Sequence, residues 1–162
     1  MASDGRRLAL AGGAAAAFFL AGAGLLIWQF VDPSGPGAIF ASHANVQAGE
    51  AVYAEHCASC HGARLEGQAN WQTPHADGFY PAPPHDETGH SWHHPDQLLF
   101  DYTKHGGSAA LGLDFKSNMP GFGDQLSDAE IRAVIDFIKS TWPDDIRQKQ
   151  ALLNQRAGKS EK

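Results

Sequence analysis

The sequence has no basic excess, no phosphate-binding loop and no recognisable set of catalytic residues. Its net charge of −6 argues against a nucleic-acid partner, because nucleic-acid-binding domains usually carry a basic patch. No glycine-rich phosphate loop follows an apolar, strand-like run, so a nucleotide-dependent enzyme has no support. Because no acid–base pair or nucleophile constellation is evident, we expect no catalytic residue and no small-molecule substrate.

Charge is also missing from a long stretch near the N-terminus. Arg6 and Arg7 precede an uncharged run, Leu8–Val31, whose length of about 24 residues is enough to cross a bilayer. Because the next Lys or Arg is Arg64, the positive-inside rule predicts a cytoplasmic N-terminus and an extracytoplasmic remainder. We therefore predict a single-pass protein of the inner (cytoplasmic) membrane whose folded domain lies in the periplasm.

A cleaved signal peptide is the alternative interpretation of this segment. Leu8–Leu20 has the length of an apolar signal core, and Ala21-Gly22-Ala23 is an acceptable small-residue cleavage site. Apolar residues continue as far as Val31, which favours an uncleaved membrane anchor.

Composition divides the chain into four parts. They are a signal-anchor or transmembrane segment (1–31), a proline- and glycine-rich linker (32–44), a folded domain (45–142) and a polar C-terminal tail (143–162). Such a small domain often depends on a covalent or metal staple for its stability. For the tail, a short amphipathic helix and disorder both stay open.

Helical spacing recurs three times in the folded domain, and no convincing alternating strand is present. We therefore expect an all-α fold. Helices are predicted over residues 47–60, over residues 95–104, and from Ser127 to Trp142. Ser127 and Glu130 have the spacing of a capping box at the start of the last helix.

Cysteine is scarce, with only Cys57 and Cys60 in the whole chain, and His61 follows them directly. Their spacing suits a disulfide, half of a zinc site, a redox dithiol or the attachment of a haem. A zinc site would need a further pair of ligands, and a thioredoxin-like dithiol would follow a strand. Two thiols on adjacent turns can each add to one of the two vinyl groups of a single porphyrin. The histidine that follows the second thiol then lies under the ring, where it can bind the iron. We predict one covalently attached haem c.

Methionine is equally scarce. Met1 and Met119 are the only two, and Met1 lies beyond the predicted anchor. Met119 occurs in a loop, Asn118–Phe122, just before the last predicted helix. A thioether at the sixth position of the iron raises its potential, so we predict Met119 as the second axial ligand. The alternative is that Met119 only fills core space.

Together these residues resemble the class I, single-haem, c-type cytochromes of bacteria, in their membrane-anchored form. The matching positions are Gly49, Tyr53, Cys57-Ala58-Ser59-Cys60-His61-Gly62, Met119-Pro120-Gly121-Phe122 and the helix to Trp142. The resemblance implies a class I cytochrome c fold, in which the first and last helices cross near Gly49 and Tyr53 and loops wrap one haem. It also implies that a proline carbonyl braces His61; the candidates are Pro81, Pro83 and Pro84, and the predicted site includes Pro83.

The segment of residues 71–94 is richer in histidine, tryptophan and proline than a small electron carrier needs. One interpretation is that it walls the haem, with Trp71 and Trp92 in the predicted site as donors to the propionates. A second is a copper site, whose candidate ligands are His85, His90, His93 and His94. A third is a docking face for a partner protein.

The resemblance implies that the protein carries single electrons between membrane respiratory complexes and is not itself an enzyme. One alternative is a fixed cytochrome c subunit of a membrane oxidoreductase or terminal oxidase. Another is a haem- or copper-binding sensor or a peroxidase-like enzyme; the haem sensor and the peroxidase would require an open iron.

Overall fold

The computed structural model describes residues 43–111 and 116–160, and in these ranges all regular structure is helical. The α-helices are α1 (His43–His56), α2 (Ala58–His61), α3 (Asp96–His105), α4 (Gly107–Leu111), α5 (Asp128–Ser140) and α6 (Asp144–Ser160), and Ser91–His93 form one 3-10 turn. The prediction of an all-α domain is confirmed. The first predicted helix is divided at Cys57, and the last ends at Ser140 instead of Trp142.

The predicted anchor and nearly all of the predicted linker lie outside the described residues. Within residues 43–111 and 116–160, no helix combines the length and the apolar character that a membrane span requires.

Helices α1 and α5 cross at Gly49. A side chain at this position would bring its Cβ atom to 2.0 Å from the carbonyl oxygen of Ala133, so only glycine allows the two backbones to approach this closely. One turn later the ring of Tyr53, 2% exposed, packs 5.4 Å from the ring of Phe137. The predicted crossing near Gly49 and Tyr53 is confirmed.

Helix α5 begins with the predicted capping box. The Ser127 hydroxyl oxygen accepts the N–H of Glu130 at 3.3 Å, and the Glu130 carboxylate accepts the N–H of Ser127 at 2.8 Å. Beyond the cap, one face of the helix is buried, and burial of each large aliphatic side chain there contributes about 1.5–3 kcal/mol. The buried residues are Ile131, Ala133, Val134, Ile135 and Ile138.

Helix α5 contributes to two apolar clusters. The first cluster contains Tyr53, Leu65, Val134, Ile138 and Trp142. The second cluster contains Phe100, Phe122, Leu126, Ile131 and Ile135. Val52 packs against both clusters, so the two cores adjoin along α1.

Helix α6 is formed by the segment predicted as a polar tail. Its Gln150 is 1% exposed and donates to the carbonyl of His94 at 3.2 Å and to the carboxylate of Asp96 at 2.6 Å. The N–H of Asp96 donates to the side-chain oxygen of Asn154 at 2.7 Å. The packed region therefore continues past the predicted boundary at Trp142.

Candidate functional site

The two cysteines lie at the junction of α1 and α2. The N–H groups of Cys60 and His61 both donate to the carbonyl of Cys57, at 3.1 and 2.9 Å. One helical turn thus leads from the first cysteine to the histidine. Cys57 is half-buried and Cys60 is exposed, and no disulfide joins the two.

The environment of Cys57 disfavours its thiolate form. Burial, with a smaller contribution from the neighbouring Cys60, raises the pKa of the Cys57 thiol to about 11. A nucleophilic cysteine requires the opposite shift, because the thiolate is the nucleophile. Cys57 itself is therefore not placed as a reactive nucleophile.

His61 is 7% exposed, and its Nδ1 lies 2.8 Å from the carbonyl oxygen of Pro83. Because a carbonyl can only accept, Nδ1 carries the hydrogen and Nε2 of the neutral ring keeps its lone pair. Burial lowers the pKa of His61, and the bond to Pro83 opposes this shift only in part. Of the three candidate prolines, Pro83 is the one that the fold brings to His61.

The loop after α2 explains why the Pro83 carbonyl reaches this position. Gly62 and Gly67 have φ values of 83° and 66°, which favour glycine, and the N–H of Gly67 donates to the carbonyl of His61 at 2.7 Å. Gln68 then pairs with Ala82: its N–H donates to the Ala82 carbonyl, and its side-chain oxygen accepts the Ala82 N–H, both at 2.9 Å. This pairing aligns the proline-rich segment beside His61.

A second imidazole lies against His61. The ring of His85 stacks on the ring of His61, with the centroids 4.1 Å apart and the planes 24° from parallel. Burial, and then the neighbouring His61 and His90, keep the pKa of His85 well below its ordinary value, so the ring is neutral at physiological pH. From the sequence, His85 is considered only as part of the haem wall or as a copper ligand. Its position two residues after Pro83 could have indicated that it also lies close to His61.

Met119 lies at the edge of the second cluster, half-buried. Its N–H donates to the Ser117 hydroxyl at 3.1 Å, and its carbonyl accepts the N–H of Gly107 at 3.1 Å. Gly106 has a φ of 89°, and a Cβ atom there would lie 3.0 Å from the Met119 carbonyl oxygen. The backbone at Gly106 therefore packs closely against the loop that carries Met119, and a side chain at this position would disturb that contact.

The two predicted tryptophans occupy different environments. Trp92 packs against the first cluster, as Cys57 does, and its buried indole N–H has no hydrogen-bond partner among the residues that the structure describes. Trp71 instead stacks on His90, with the ring centroids 5.2 Å apart and the planes 1° from parallel.

The remaining histidines of the segment do not form a metal cluster. His93 stacks on Trp92 at 3.6 Å, and His94 meets His90 edge-on at 5.3 Å. Across residues 43–111 and 116–160, no group of three or more His, Cys, Asp or Glu side chains is arranged to hold a metal ion. The copper interpretation thus finds no supporting cluster there.

A family model described as cytochrome c oxidase, cbb3-type, subunit III matches residues 44–138, which is more than half of the chain. The chain belongs to this family of c-type cytochromes. The family match confirms the resemblance to class I c-type cytochromes and establishes the domain as a c-type haem-binding domain. Comparisons with curated proteins and with solved structures gave no match.

The residues of this family member fit a covalently attached haem. The His61 ring carries its hydrogen on Nδ1, toward the Pro83 carbonyl, so its Nε2 atom keeps the lone pair that an iron ligand needs. Cys57, which packs against the first cluster, and Cys60 would hold the porphyrin ring through thioethers. The Nε2 atom of His61 would bind the iron, and a bound haem supplies one-electron exchange between ferrous and ferric iron.

Proposed function

We propose that this protein is a membrane-anchored electron carrier with a single haem c. Cys57 and Cys60 hold the haem, and His61 and Met119 are its axial ligands. Haem-based electron transfer follows from the family. The finer proposal rests most heavily on the 2.8 Å bond between Nδ1 of His61 and the Pro83 carbonyl, because that bond selects the tautomer that presents Nε2 to a metal.

The position of Met119 supports its role as the second ligand. Its backbone is held on both sides, by Ser117 and by Gly107, while its side chain reaches the edge of the apolar core. A thioether in an apolar setting favours ferrous iron. With both axial positions filled, no coordination site is left for a substrate, as suits an electron carrier.

An optical spectrum of the purified holoprotein tests this proposal. We expect a low-spin spectrum with the weak far-red band of sulfur–iron ligation in the oxidised form, and no response of the reduced form to carbon monoxide. A high-spin spectrum, or one that shifts with carbon monoxide, would contradict His61/Met119 ligation and favour a sensor.

The location in the membrane is part of the same proposal. The Leu8–Val31 segment would keep the haem domain near respiratory complexes on the periplasmic side, where tethering raises the effective concentration of each partner. We expect the haem to stay with the membrane fraction after alkaline washing, and the mature chain to retain residues 1–31 by intact mass. Release of the haem at alkaline pH, or loss of the N-terminal segment, would contradict the anchor.

A fixed cytochrome subunit of a terminal oxidase is the second candidate, favoured by the description of the matching family. Gentle detergent extraction distinguishes the two functions. A carrier is expected to migrate alone on a native gel at moderate salt, whereas a fixed subunit would migrate with oxidase subunits in a constant ratio.

A further inference from the structure

His85 is held from several directions by side chains. Its ring stacks on the His61 ring at 4.1 Å and forms a T-shaped contact with the Tyr53 ring, with the centroids 6.3 Å apart and 74° between the planes. Its Nδ1 lies 2.8 Å from the hydroxyl oxygen of Ser91. Few rotamers of a histidine satisfy a stack, an edge contact and a hydrogen bond together, so the orientation of this ring is fixed.

The backbone of His85 is held equally firmly. Its N–H donates to the carbonyl of Leu65 at 2.8 Å, and its carbonyl accepts the indole N–H of Trp142 at 2.7 Å. Trp142 is 1% exposed and belongs to the first cluster. The imidazole stacked on His61 is thus fastened to the core of the domain.

The bond between His61 and Pro83 does not fix the His61 ring by itself. A single N–H···O bond tolerates a broad range of angles at the carbonyl oxygen, so the ring can still tilt within that range. A flat ring packed 4.1 Å away restricts this tilt. The hydrogen bond and the stack together determine the plane of the imidazole.

We propose that His85 is a positioning residue that sets the plane of the His61 imidazole. This inference rests on the proposed function, in which Nε2 of His61 ligates the haem iron. The plane of an axial imidazole decides which iron d orbitals it overlaps, and hence how unpaired spin spreads over the porphyrin in the ferric form. His85 therefore acts on the electronic structure of the haem through His61.

The test uses the full-length holoprotein in the ferric state. Electron paramagnetic resonance g values and the NMR shifts of the haem methyl groups report the plane of the ligand, which a purely space-filling role would leave unchanged. The variants are His85→Ala, His85→Phe and Ser91→Ala. His75→Ala is the matched control, because His75 is an exposed histidine of the same segment.

We expect His85→Ala to change both the g values and the spread of the methyl shifts, and His85→Phe to restore most of the wild-type pattern because it returns a flat ring. Ser91→Ala, which frees one edge of His85, should give a smaller change in the same direction, and His75→Ala should give none. If His85→Ala yields too little holoprotein, the test uses His85→Phe, Ser91→Ala and the wild type alone. In that case the proposal is supported if His85→Phe has near-wild-type g values and methyl shifts while those of Ser91→Ala are changed.

Wild-type spectra from His85→Ala, or a Phe variant shifted as far as the Ala variant, would overturn the positioning role. So would an unshifted Ser91→Ala variant where no Ala variant can be made. The wild-type spectrum is recorded before any variant is compared. If it lacks the signature of low-spin histidine ligation, the proposed function itself is contradicted, independently of the role of His85.

Discussion

His61 and Met119, the two proposed axial ligands, are held by different kinds of contact. The side chain of His61 is bound to Pro83 and stacked on His85, so the ligating group itself is constrained. Met119 is held through its backbone, by Ser117 and Gly107, while its side chain lies half-buried at the edge of a cluster. The fold thus constrains the imidazole through a hydrogen bond and a stack at the ring itself, whereas the Met119 side chain has only apolar packing at the edge of a cluster.

This difference indicates that the bonds from His61 and from Met119 to the haem iron should respond differently when the surrounding structure is disturbed. A ligand fixed at its own ring atoms keeps its geometry when a neighbouring loop moves. A ligand fixed mainly at its backbone shifts with the loop that carries it. We therefore expect a substitution in the surrounding loops to displace Met119 from the iron before it displaces His61.

The largest effect should come from removing the covalent tether, which both sides share. Replacing both Cys57 and Cys60 with Ala should abolish covalent attachment nearly completely, because no other cysteine is present in the chain. Haem staining after denaturing electrophoresis measures this directly. A stably folded double variant that still carries covalent haem would contradict the attachment site.

Replacing each ligand in turn tests the asymmetry most directly. His61→Ala should give little or no stable holoprotein. Met119→Ala should retain covalent haem, open the reduced iron to carbon monoxide and lower the reduction potential, because a thioether favours ferrous iron. Haem content, the carbon monoxide difference spectrum and a redox titration measure the two outcomes. Equal losses of haem in both variants would remove the asymmetry.

A matched pair of glycine substitutions sharpens the comparison without replacing either ligand. Gly67→Ala would place a Cβ atom 2.4 Å from the nitrogen of Pro84, and Gly106→Ala would place one 2.8 Å from the nitrogen of Gly121. Both positions have positive φ, so each change should lower the free energy of unfolding by about 1–3 kcal/mol.

The two variants should nevertheless differ in their spectra. Gly106→Ala should weaken the far-red sulfur–iron band, since the Met119 loop must move, whereas Gly67→Ala should leave that band in place. Denaturant unfolding and the oxidised spectrum, recorded on the same samples, provide the measurement. Loss of the band in Gly67→Ala would show that the two sides are mechanically coupled.

The smallest effect is expected at Gly158, which serves as the control for that pair. It lies in α6, and beyond the adjacent residues and the backbone of its own helix, no described atom lies within 4 Å of the position that a Cβ atom would take there. Gly158→Ala should raise the free energy of unfolding by at most about 1 kcal/mol, because alanine favours helix more than glycine does. The spectrum should not change, and a destabilised variant would indicate a contact at this helix end.

Local sequence signals predicted the parts of the fold that local chemistry determines. The capping box of Ser127 and Glu130 is such a signal, since both partners lie within one turn. Gly49 and Tyr53 come from the resemblance, and the need for glycine follows from the 2.0 Å approach to Ala133. Periodicity in the sequence locates helices, but it does not indicate which loop segments come into contact in the folded domain.

The choice of Pro83 over Pro81 and Pro84 depends on such a loop. It follows from the pairing of Gln68 with Ala82, which joins segments that are distant in sequence and leaves no periodic pattern. For the same reason Trp71 and Trp92 are equivalent in the sequence. Only the fold separates the buried N–H of Trp92 from the stack of Trp71 on His90.

Helix α6 escaped a firm prediction because its key contact is polar. Gln150 carries no hydrophobic signal, yet it is among the most buried side chains described. Both its hydrogen-bond donors are used, on His94 and Asp96, and its oxygen accepts from Asn154 at 3.1 Å. A polar stretch of sequence can therefore be an integral part of a packed domain.

The buried amide of Gln150 has a consequence for how the domain unfolds. Detaching α6 would strip a donor from the carbonyl of His94 and from the carboxylate of Asp96, which also pairs with Lys139 of α5 at 2.6 Å. Because such groups lose their partners together, α6 cannot fray away at no cost to its neighbours. Amide hydrogens in the middle of α6 are therefore expected to exchange with solvent in the same cooperative opening as those of α5.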